Sequence, residues 1–286
     1  MENEQQKNYK PIILIIGIIL VIAFMLYARF GATYGFIVKE YKITNDKITN
    51  TFHGLKIVHI SDLHFGGSVD INKIDSIVDK INYIDPDLVL FSGDLIDRNH
   101  SLTKPEAEAI IKALRNINPN LGNYAITGSH DLQNKEYKYI INQSNFNLID
   151  DNIEVIYNNN NDPILLTGLS TTRKNSNIDL KLEKTNSFLE ENDNFFHILL
   201  VHEPDVIKQV DLNKFDVVFA GHSLNGQFRL PIIGPIILPE GAKDYYENKY
   251  IVNNTPVYIS SGVGTTRVNI RLFNRPSINF YRLTNK

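Results

Sequence analysis

Acidic and imidazole side chains stand directly after apolar runs in this sequence of 286 residues. The run 56–60 is mostly apolar and β-branched, which predicts a buried strand, and Asp62 and His64 follow it two positions apart. Burying either side chain without a partner would cost free energy. A carboxylate and a neutral imidazole at the carboxyl edge of a sheet, where α/β proteins bind ligands, make half of a divalent metal site. We therefore predict that Asp62 and His64 bind a metal ion.

Four later apolar runs also end on a residue that can bind a metal ion. These residues are Asp94 after the run 88–91, His130 after 124–126, His202 after 196–201 and His222 after 215–220. Taken alone, such an aspartate could cap a helix, and such a histidine could be hydrogen-bonded in the core. Helix capping does not require an aspartate or a histidine after each of five successive strands. Convergence on one metal centre explains all of them.

The other four histidines have simpler interpretations. His59 and His197 lie inside apolar strands, where a hydrogen-bonded core histidine is expected. His53 and His100 are expected to be solvated loop residues.

Oxygen and imidazole donors without thiolates suit Mn, Fe or Zn, and the chain has no cysteine. A carboxylate such as Asp94 can bridge two ions about 3.5–4 Å apart, and such a pair makes hydroxide at neutral pH. Attack of that hydroxide in line at phosphorus, with the ions neutralising the nonbridging oxygens, makes a phosphate ester the expected substrate. An imidazole outside the metal shell can protonate the leaving oxygen.

These residues resemble the motifs of the calcineurin-like metallophosphoesterase family, whose pattern is D-x-H, G-D-x-x-D, G-N-H-D, an isolated H and G-H-x-H. Five segments match it in order: Asp62-Leu63-His64, Gly93-Asp94-Leu95-Ile96-Asp97, Gly128-Ser129-His130-Asp131, His202 and Gly221-His222-Ser223-Leu224. The resemblance extends from about residue 52 to the end of the sequence. The turn 262–266 and the segment 270–276 further resemble the bacterial membrane-associated branch, which includes a phosphodiesterase acting on UDP-diacylglucosamine.

The resemblance implies a role for each matched residue. The expected metal ligands are Asp62, His64 and Asp94 for the first ion, and Asp94, His202 and His222 for the second. His130 would be the general acid, oriented by Asp131. The implied fold is α/β, with two packed mixed β-sheets flanked by helices and the site at the strand ends.

Two positions depart from the family pattern. Ser129 replaces an asparagine, and Leu224 replaces a histidine that would bind metal. Asn225 could bind the metal ion through its carbonyl oxygen in place of the missing histidine. The favoured interpretation is that Asn225 occupies a left-handed turn. The number of ions, two or one, therefore stays open, as does an alternative function: a catalytically weakened relative that binds metal or phosphate. His130 argues against a pure binder, which needs no proton donor, and a transferase using the same ions is a third alternative.

Regular elements are needed to bring these side chains together. Helical spacing over 71–84 stops at Asp85-Pro86-Asp87, and Pro105 fits the first turn of a further helix. A polar helix is predicted near 180–190, and a first strand near 34–43. Three successive β-α units then direct Asp62, Asp94 and His130 to one edge of a sheet.

The amino terminus predicts a membrane anchor. We divide the chain into an N-terminal tail (1–10), a transmembrane helix (11–28), a connector (29–50) and a metallophosphoesterase-like domain (51–286). The apolar run 12–27 is close to the shortest that spans a bilayer; a buried core helix and a cleaved signal peptide are the alternatives. Basic residues on the two sides nearly balance, and the favoured topology is a single-pass protein of the cell membrane with its catalytic domain outside the cytoplasm.

Composition narrows the range of partners. The net charge is −3, the isoelectric point is about 6.2, and no block of Lys and Arg occurs, which disfavours nucleic acid. The expected partners are a phosphorylated small molecule or lipid-linked substrate, and the membrane through the N-terminal helix. The sequence assigns no protein partner.

Overall fold

A computed structural model of the chain describes residues 9–158, 162–172 and 177–286. Most of the predicted N-terminal tail, residues 1–8, lies outside these ranges. The helices are α1 (Lys10–Leu26), α2 (Ile71–Ile84), α3 (Lys104–Leu114), α4 (Tyr137–Gln143) and α5 (Ile178–Glu191). The strands are β1 (Ile37–Thr44), β2 (Lys56–Ile60), β3 (Leu88–Phe91), β4 (Asn123–Ala125), β5 (Phe146–Leu148), β6 (Asn152–Ile156), β7 (Ile164–Leu169), β8 (Phe196–Val201), β9 (Val217–Ala220), β10 (Arg229–Leu230), β11 (Gly234–Pro235), β12 (Lys249–Val252), β13 (Thr255–Ile259) and β14 (Ser277–Thr284).

Within the described ranges, two six-stranded mixed sheets form the centre of the fold. The first has the order β1-β14-β2-β3-β4-β5, with β2 to β5 parallel and β14 antiparallel to β2. The second has the order β12-β13-β9-β8-β7-β6, with parallel inner strands and an antiparallel strand at each edge. The predicted fold class, two mixed sheets flanked by helices, is confirmed.

The two sheets pack face to face, with helices on the outside. Ile57 and Leu90 of the first sheet share one core cluster with Leu200 and Phe219 of the second. The opposite face of the first sheet is covered by α2, α3 and α4, and that of the second by α5 and short helical turns. Because both faces are covered, strands such as β3 and β9 consist of apolar residues in a row rather than alternating ones.

Local sequence signals set the ends of the helices that follow β2 and β3. Helix α2 starts where the Asp70 carboxylate accepts a hydrogen bond from Lys73 N (2.9 Å), and it ends at Asp85 in a left-handed conformation. Helix α3 starts with a capping box between Thr103 and Glu106. Both helices were predicted from the sequence, and their short connections bring the strand ends to one edge.

The predicted connector contains a strand of the first sheet. Strand β1 begins three residues later than the predicted start at 34 and pairs in parallel with β14 along its whole length. Part of the stretch 29–50 is therefore built into the domain.

Helix α1 continues through a wider, π-helical turn, Tyr27–Gly31, before the chain enters this sheet. Together they form a 22-residue helix that contains an 18-residue window with mean hydropathy 2.9, long and apolar enough to cross a membrane by length and composition. No residue of α1 is buried, so α1 is not a core helix of the described structure. The helix touches the domain at its end, where Arg271 N donates to Ala28 O (3.0 Å).

Candidate metal centre

The loops that follow β2 and β3 run side by side and present the first predicted ligands. Asp62 N donates to Gly93 O, and His64 N donates to Asp94 O, each at 3.0 Å. Gly93 also lets the loop after β4 approach closely, since a Cβ atom there would lie 2.6 Å from Gly128 Cα. The Asp62 and Asp94 carboxylates are thereby held on neighbouring loops at the edge of the first sheet.

Four predicted ligands adopt a left-handed backbone that non-glycine residues rarely adopt. The φ angles are +52° at Asp62, +49° at His64, +60° at Asp94 and +63° at His222. Each such conformation carries a cost of about 1–3 kcal/mol and tends to occur at functional sites. The surrounding structure therefore fixes the direction of these side chains.

Donor atoms from both sheets gather at one buried point. Asp62, Asp94, His202 and His222 each offer one ligand atom, and these atoms all lie within 4.8 Å of one another. All four side chains are buried, and His202 Nε2 lies 3.2 Å from Asp94 Oδ2. Such spacing is compatible with one ion held by two carboxylates and two imidazoles.

A second group of donors shares Asp94 with the first. Ligand atoms of His64, Asp94 and His130 also lie within 4.8 Å of one another. His64 Nε2 is 3.9 Å from Asp94 Oδ2 and 3.8 Å from Asp62 Oδ1. This grouping differs from the one that the motifs imply. Asp62, expected with His64, groups with His202 and His222, and His130, expected to be outside the metal shell, groups with His64.

Hydrogen bonds to the protein backbone orient the imidazoles of the first group. His202 Nδ1 lies 2.6 Å from Ser92 O, which leaves Nε2 facing Asp94. His222 Nε2 lies 2.8 Å from Glu240 O. Such partners fix the tautomer and direction of metal-binding histidines.

Two buried nitrogens indicate that the donor set fits a cation. Among the described residues, His64 Nδ1 forms no hydrogen bond, and His202 Nε2 has only its 3.2 Å contact with the Asp94 carboxylate. A buried polar atom left unpaired costs about 1–3 kcal/mol. Coordination would satisfy such atoms, and the oxygen and nitrogen donors suit Mn, Fe or Zn.

The buried charges influence one another strongly. Burial opposes ionisation of Asp94, but the neighbouring His202 ring more than offsets it and holds the pKa of this carboxyl well below its usual range. Burial raises the pKa of Asp62 to about 6, with His202 opposing and Asp94 adding to the shift. Burial also lowers the pKa of His64 to about 3 and that of His222 to about 4, so both rings are neutral and able to bind a metal ion at pH 7.

The Asp131 carboxylate binds the backbone of the loops after β3 and β4, and its expected role in orienting His130 stays a prediction. The carboxylate accepts hydrogen bonds from three backbone amides, Asp94 N (2.7 Å), Leu95 N (2.9 Å) and Gly128 N (2.9 Å). These bonds join the loops after β3 and β4. Asp131 is therefore a positioning residue for the Asp94 loop, and burial together with Asp94 raises its pKa to about 7.

The groups that surround the His130 ring are Arg98 and Asp97. Arg98 Nη2 lies 2.6 Å from His130 Nε2, and the Arg98 backbone N lies 3.2 Å from His130 Nδ1. Asp97 Oδ2 is 3.9 Å from His130 Nδ1. Sequence reasoning missed Arg98, although its position directly after the G-D-x-x-D segment was a usable signal.

The two positions that depart from the family pattern lie in different surroundings. Ser129 Oγ donates to Asp94 Oδ2 (3.3 Å), at the carboxylate that the two donor groups share. Leu224 belongs to neither donor group and lines an apolar cavity of about 310 Å³. Asn225 has φ +46° and ψ +33°, which confirms the predicted left-handed turn.

Arg271 stabilises the segment that packs against the Asp62 loop, and this role was not predicted from the sequence. Its guanidinium is fully buried and donates to the carbonyl oxygens of Ser261 (2.8 Å), Gly262 (3.2 Å) and Gly264 (2.6 Å). Gly264 N in turn donates to Asp62 O (2.8 Å). Burial lowers the pKa of Arg271 to about 9, and the Asp62 carboxylate opposes that shift.

Known proteins are similar to this chain in sequence and in structure. A family model described as calcineurin-like phosphoesterase matches residues 55–226. An uncharacterized metallophosphoesterase from Bacillus subtilis, YkuE, is 32% identical over 265 residues, which cover 90% of this chain and 88% of the relative. A transmembrane protein with a metallophosphoesterase domain from Danio rerio is 27% identical over 283 residues, covering 92% of this chain and 61% of that protein. Among solved structures, TT1561 of Thermus thermophilus is 10% identical, with a TM-score of 0.48 over 73% of this chain and 90% of that one.

Proposed function

The chain belongs to the calcineurin-like phosphoesterase family, and from this premise we propose that it is a membrane-anchored, metal-dependent phosphoesterase. The observation that carries the proposal is the Asp94 carboxylate, which belongs to two separate groups of buried donors. A carboxylate in this position can bridge two divalent ions. One or two ions therefore fit the centre.

Each donor group would hold one ion. Asp62, Asp94, His202 and His222 would hold the first, and His64 together with Asp94 would contribute to the second. When bound, such ions activate water and neutralise the phosphoryl oxygens.

The remaining residues would act on the ester itself. His130 is placed beside Asp94 by its backbone N, which donates to Asp94 Oδ1 (2.7 Å), and it would give a proton to the leaving oxygen. The Arg98 guanidinium next to this ring carries a permanent positive charge, which favours an anionic substrate. Asp131 would keep the Asp94 loop in place.

We further propose the location of the domain and the class of substrate. Residues 11–28 would form a single-pass anchor, and residues 51–286, with strand β1 attached, would lie outside the cytoplasm. A phosphodiester or a phosphate linked to a lipid or to the cell envelope is the favoured substrate, because the anchor keeps the centre close to such molecules.

A second candidate function is a weakened relative that binds metal or phosphate without turnover. Ser129 and Leu224 favour it, since each stands where the family has a stronger ligand. His130 and the buried donor groups favour the enzyme.

One experiment separates the two candidates. The full-length protein is purified in detergent, its metal content is measured, and hydrolysis of bis(p-nitrophenyl) phosphate is followed with Mn²⁺ and with Zn²⁺. We expect turnover, and with a diester whose leaving group is a simple alcohol we expect it to fall by about 10²–10⁴-fold in His130→Ala, the range of general acid catalysis, because an alkoxide must be protonated as it leaves. The matched control, His53→Ala, changes an exposed histidine outside the centre and should keep full activity. Bound ions without turnover under either metal would favour the binder.

A further inference from the structure

An apolar hairpin projects from the second half of the chain, and we define it as residues 228–239. It is built on β10 and β11, and its only charged residue, Arg229, is paired with Glu247 (2.5 Å). Four isoleucines on it are solvent-exposed: Ile232, Ile233, Ile236 and Ile237. Exposed apolar groups clustered in this way mark a contact surface rather than an ordinary loop.

Backbone hydrogen bonds connect the base of this hairpin to the end of the apolar helix. Arg229 N donates to Leu272 O (3.0 Å), and the preceding residue in that segment, Arg271, donates through its N to Ala28 O (3.0 Å). Ala28 lies in the turn that directly follows α1. If α1 crosses a membrane, the hairpin therefore starts at the level where the chain leaves the hydrocarbon layer.

The surroundings of this junction have the composition of a membrane interface. Phe30, Tyr34 and Phe273 are exposed aromatic residues, and Arg29 and Arg267 are exposed basic ones. Aromatic rings favour the boundary between lipid and water, and basic side chains are attracted to anionic headgroups. The same boundary would accept the exposed isoleucines of the hairpin.

A cavity of about 310 Å³ lies between the hairpin and the loop 266–270. Its apolar lining comes from Leu224, Phe228, Ile236, Ile237, Val268 and Ile270. One of its wall residues, Leu224, is close to the metal centre: a Cβ atom on Gly262 would clash with Leu224 Cδ2 and would lie 2.9 Å from Asp62 Cβ. Leu224 and Ser223 form the part of the wall that follows His222 in the chain. Leu224 stands where the family pattern has a metal-binding histidine. In this chain it supplies an apolar wall between the metal centre and the hairpin instead.

We propose that the apolar hairpin contacts the membrane that α1 crosses and that the cavity takes one hydrocarbon chain of an amphiphilic phosphate ester. This inference rests on the proposed function and names the chemistry of its substrate. The phosphate of the ester lies at the metal centre, where water adds its oxygen to phosphorus, the ester P–O bond breaks and the leaving oxygen takes a proton. The cavity volume is at the lower end of the range for small-molecule sites, about 300–1,000 Å³, which suits a single chain.

Contact with the membrane is tested without reference to catalysis. The chain has no tryptophan, so the indole fluorescence of a variant with one introduced tryptophan comes from that position alone. The full-length Ile233→Trp variant is reconstituted in phosphatidylcholine vesicles whose acyl chains carry bromine. We expect roughly twofold quenching of its fluorescence, because an interfacial apolar side chain reaches the acyl region.

Tyr83→Trp is the matched control. Tyr83 is exposed and lies ten residues after Lys73 on α2, about 15 Å along the helix. Because Lys73 Nζ donates to Thr33 O near the end of the apolar helix, Tyr83 lies far from that junction, and its indole should not be quenched. No quenching at Ile233→Trp, or equal quenching in both variants, would overturn the membrane contact. If Ile233→Trp is not quenched and the protein purifies as a dimer that contacts through this face, the hairpin binds a second copy of the chain instead of the membrane.

The chain site is tested with methyl and dodecyl p-nitrophenyl phosphate, two diesters that share one leaving group. For the unmodified protein we expect kcat/KM to be at least about tenfold higher with the dodecyl ester, since burial of two methylenes already supplies that factor. The double variant Ile236→Ser, Ile237→Ser should lose this preference. Ile251→Ser, an equally exposed isoleucine on β12, should behave like the unmodified protein.

The possible results are distinguishable. Equal rates with the two esters would overturn the chain site but leave the phosphoesterase intact. No hydrolysis of either ester by the unmodified protein would contradict the proposed function, whereas bromine quenching would still decide the membrane contact.

Discussion

At the scale of single residues, the candidate ligands have a strained backbone conformation that the surrounding loops stabilise. Asp62, His64, Asp94 and His222 have positive φ angles, and each is tied down by hydrogen bonds from neighbouring loops. The strain is sustained because other groups, Asp131 above all, fix the loops. A change in such a supporting residue should therefore affect metal binding without removing a ligand.

Asp131→Asn tests this. An amide presents one acceptor oxygen where the carboxylate presents two, so one of the three backbone N–H groups faces an NH₂ group. We expect a loss of stability of about 1–3 kcal/mol and a loss of metal affinity of about 10–100-fold. Isothermal titration with Mn²⁺ and chemical denaturation measure the two effects.

The chain contains a matched control for this change. Asp205 also accepts from three backbone amides, those of Lys243, Asp244 and Tyr245, but it lies outside the donor groups. Asp205→Asn should lower stability to a similar extent and leave Mn²⁺ affinity nearly unchanged. Equal loss of affinity in both variants would show that Asp131 has no special role at the centre.

The sequence predicted individual residues best where a local pattern defines them. His59 and His197 are buried and hydrogen-bonded, and His53 is exposed, as expected. His100 differs, because it is half-buried and its Nε2 lies 3.1 Å from Glu106 in the first turn of α3. Arg271 could not be predicted, since its role depends on carbonyl groups that only tertiary folding brings around it.

At the scale of elements, two half-buried lysines connect the end of the apolar helix, the first sheet and the segment around the turn 262–266. Lys73 of α2 donates to Thr33 O (3.0 Å) and Val263 O (3.4 Å), and Lys39 of β1 donates to Asn248 Oδ1 (2.6 Å) and Ser261 Oγ (3.1 Å). Burial, and next to it the charge of Arg271, lowers the pKa of both lysines to about 8. The folded protein thus releases these protons more readily than the unfolded chain.

This predicts the pH dependence of stability. Between about pH 8 and 10.5 the unfolded chain binds more protons than the folded one, so the free energy of unfolding should rise with pH in this window. The contribution of Lys73 is on the order of 1–3 kcal/mol. Lys73→Met should flatten the rise, measured by denaturation followed by circular dichroism at several pH values. Lys138→Met, whose side chain is 68% exposed, should leave the slope unchanged, and a slope that Lys73→Met does not alter would contradict the assignment.

Hydrophobic spacing was sufficient to predict most elements near the centre. Helix α2 and strand β3 have the predicted bounds, and α3 contains Pro105 in its first turn, as predicted. The pairing of strands was beyond such reasoning, because β1 and β14 pair across 240 residues of sequence. Sequence spacing describes one element at a time, whereas pairing depends on which apolar faces can be buried together.

At the scale of the whole molecule, the metal centre lies where the two sheets meet. Asp62 and Asp94 follow strands of the first sheet, and His202 and His222 follow strands of the second. An ion bound to all four would link the sheets to each other. Metal affinity should therefore add to the stability of the folded domain as a whole.

Addition of Mn²⁺ should raise the free energy of unfolding by about 2.7 kcal/mol at a concentration 100 times the Kd. Thermal denaturation with and without chelator measures this gain as a shift in Tm. Asp94→Asn should abolish the shift, because Asp94 belongs to both donor groups, and His53→Ala should keep it. A shift that persists in Asp94→Asn would place the ion elsewhere.

The position of β14 has a consequence for the synthesis of the protein. This strand lies between β1 and β2, so β1 has no neighbour in the sheet until the ribosome has made residues 277–284. The 240 residues between Thr44 and Thr284 take about 12–48 s at about 5–20 residues per second. Throughout that interval the nascent chain carries an unpaired edge strand directly after its apolar helix. A stop codon anywhere before residue 277 would leave it unpaired for good.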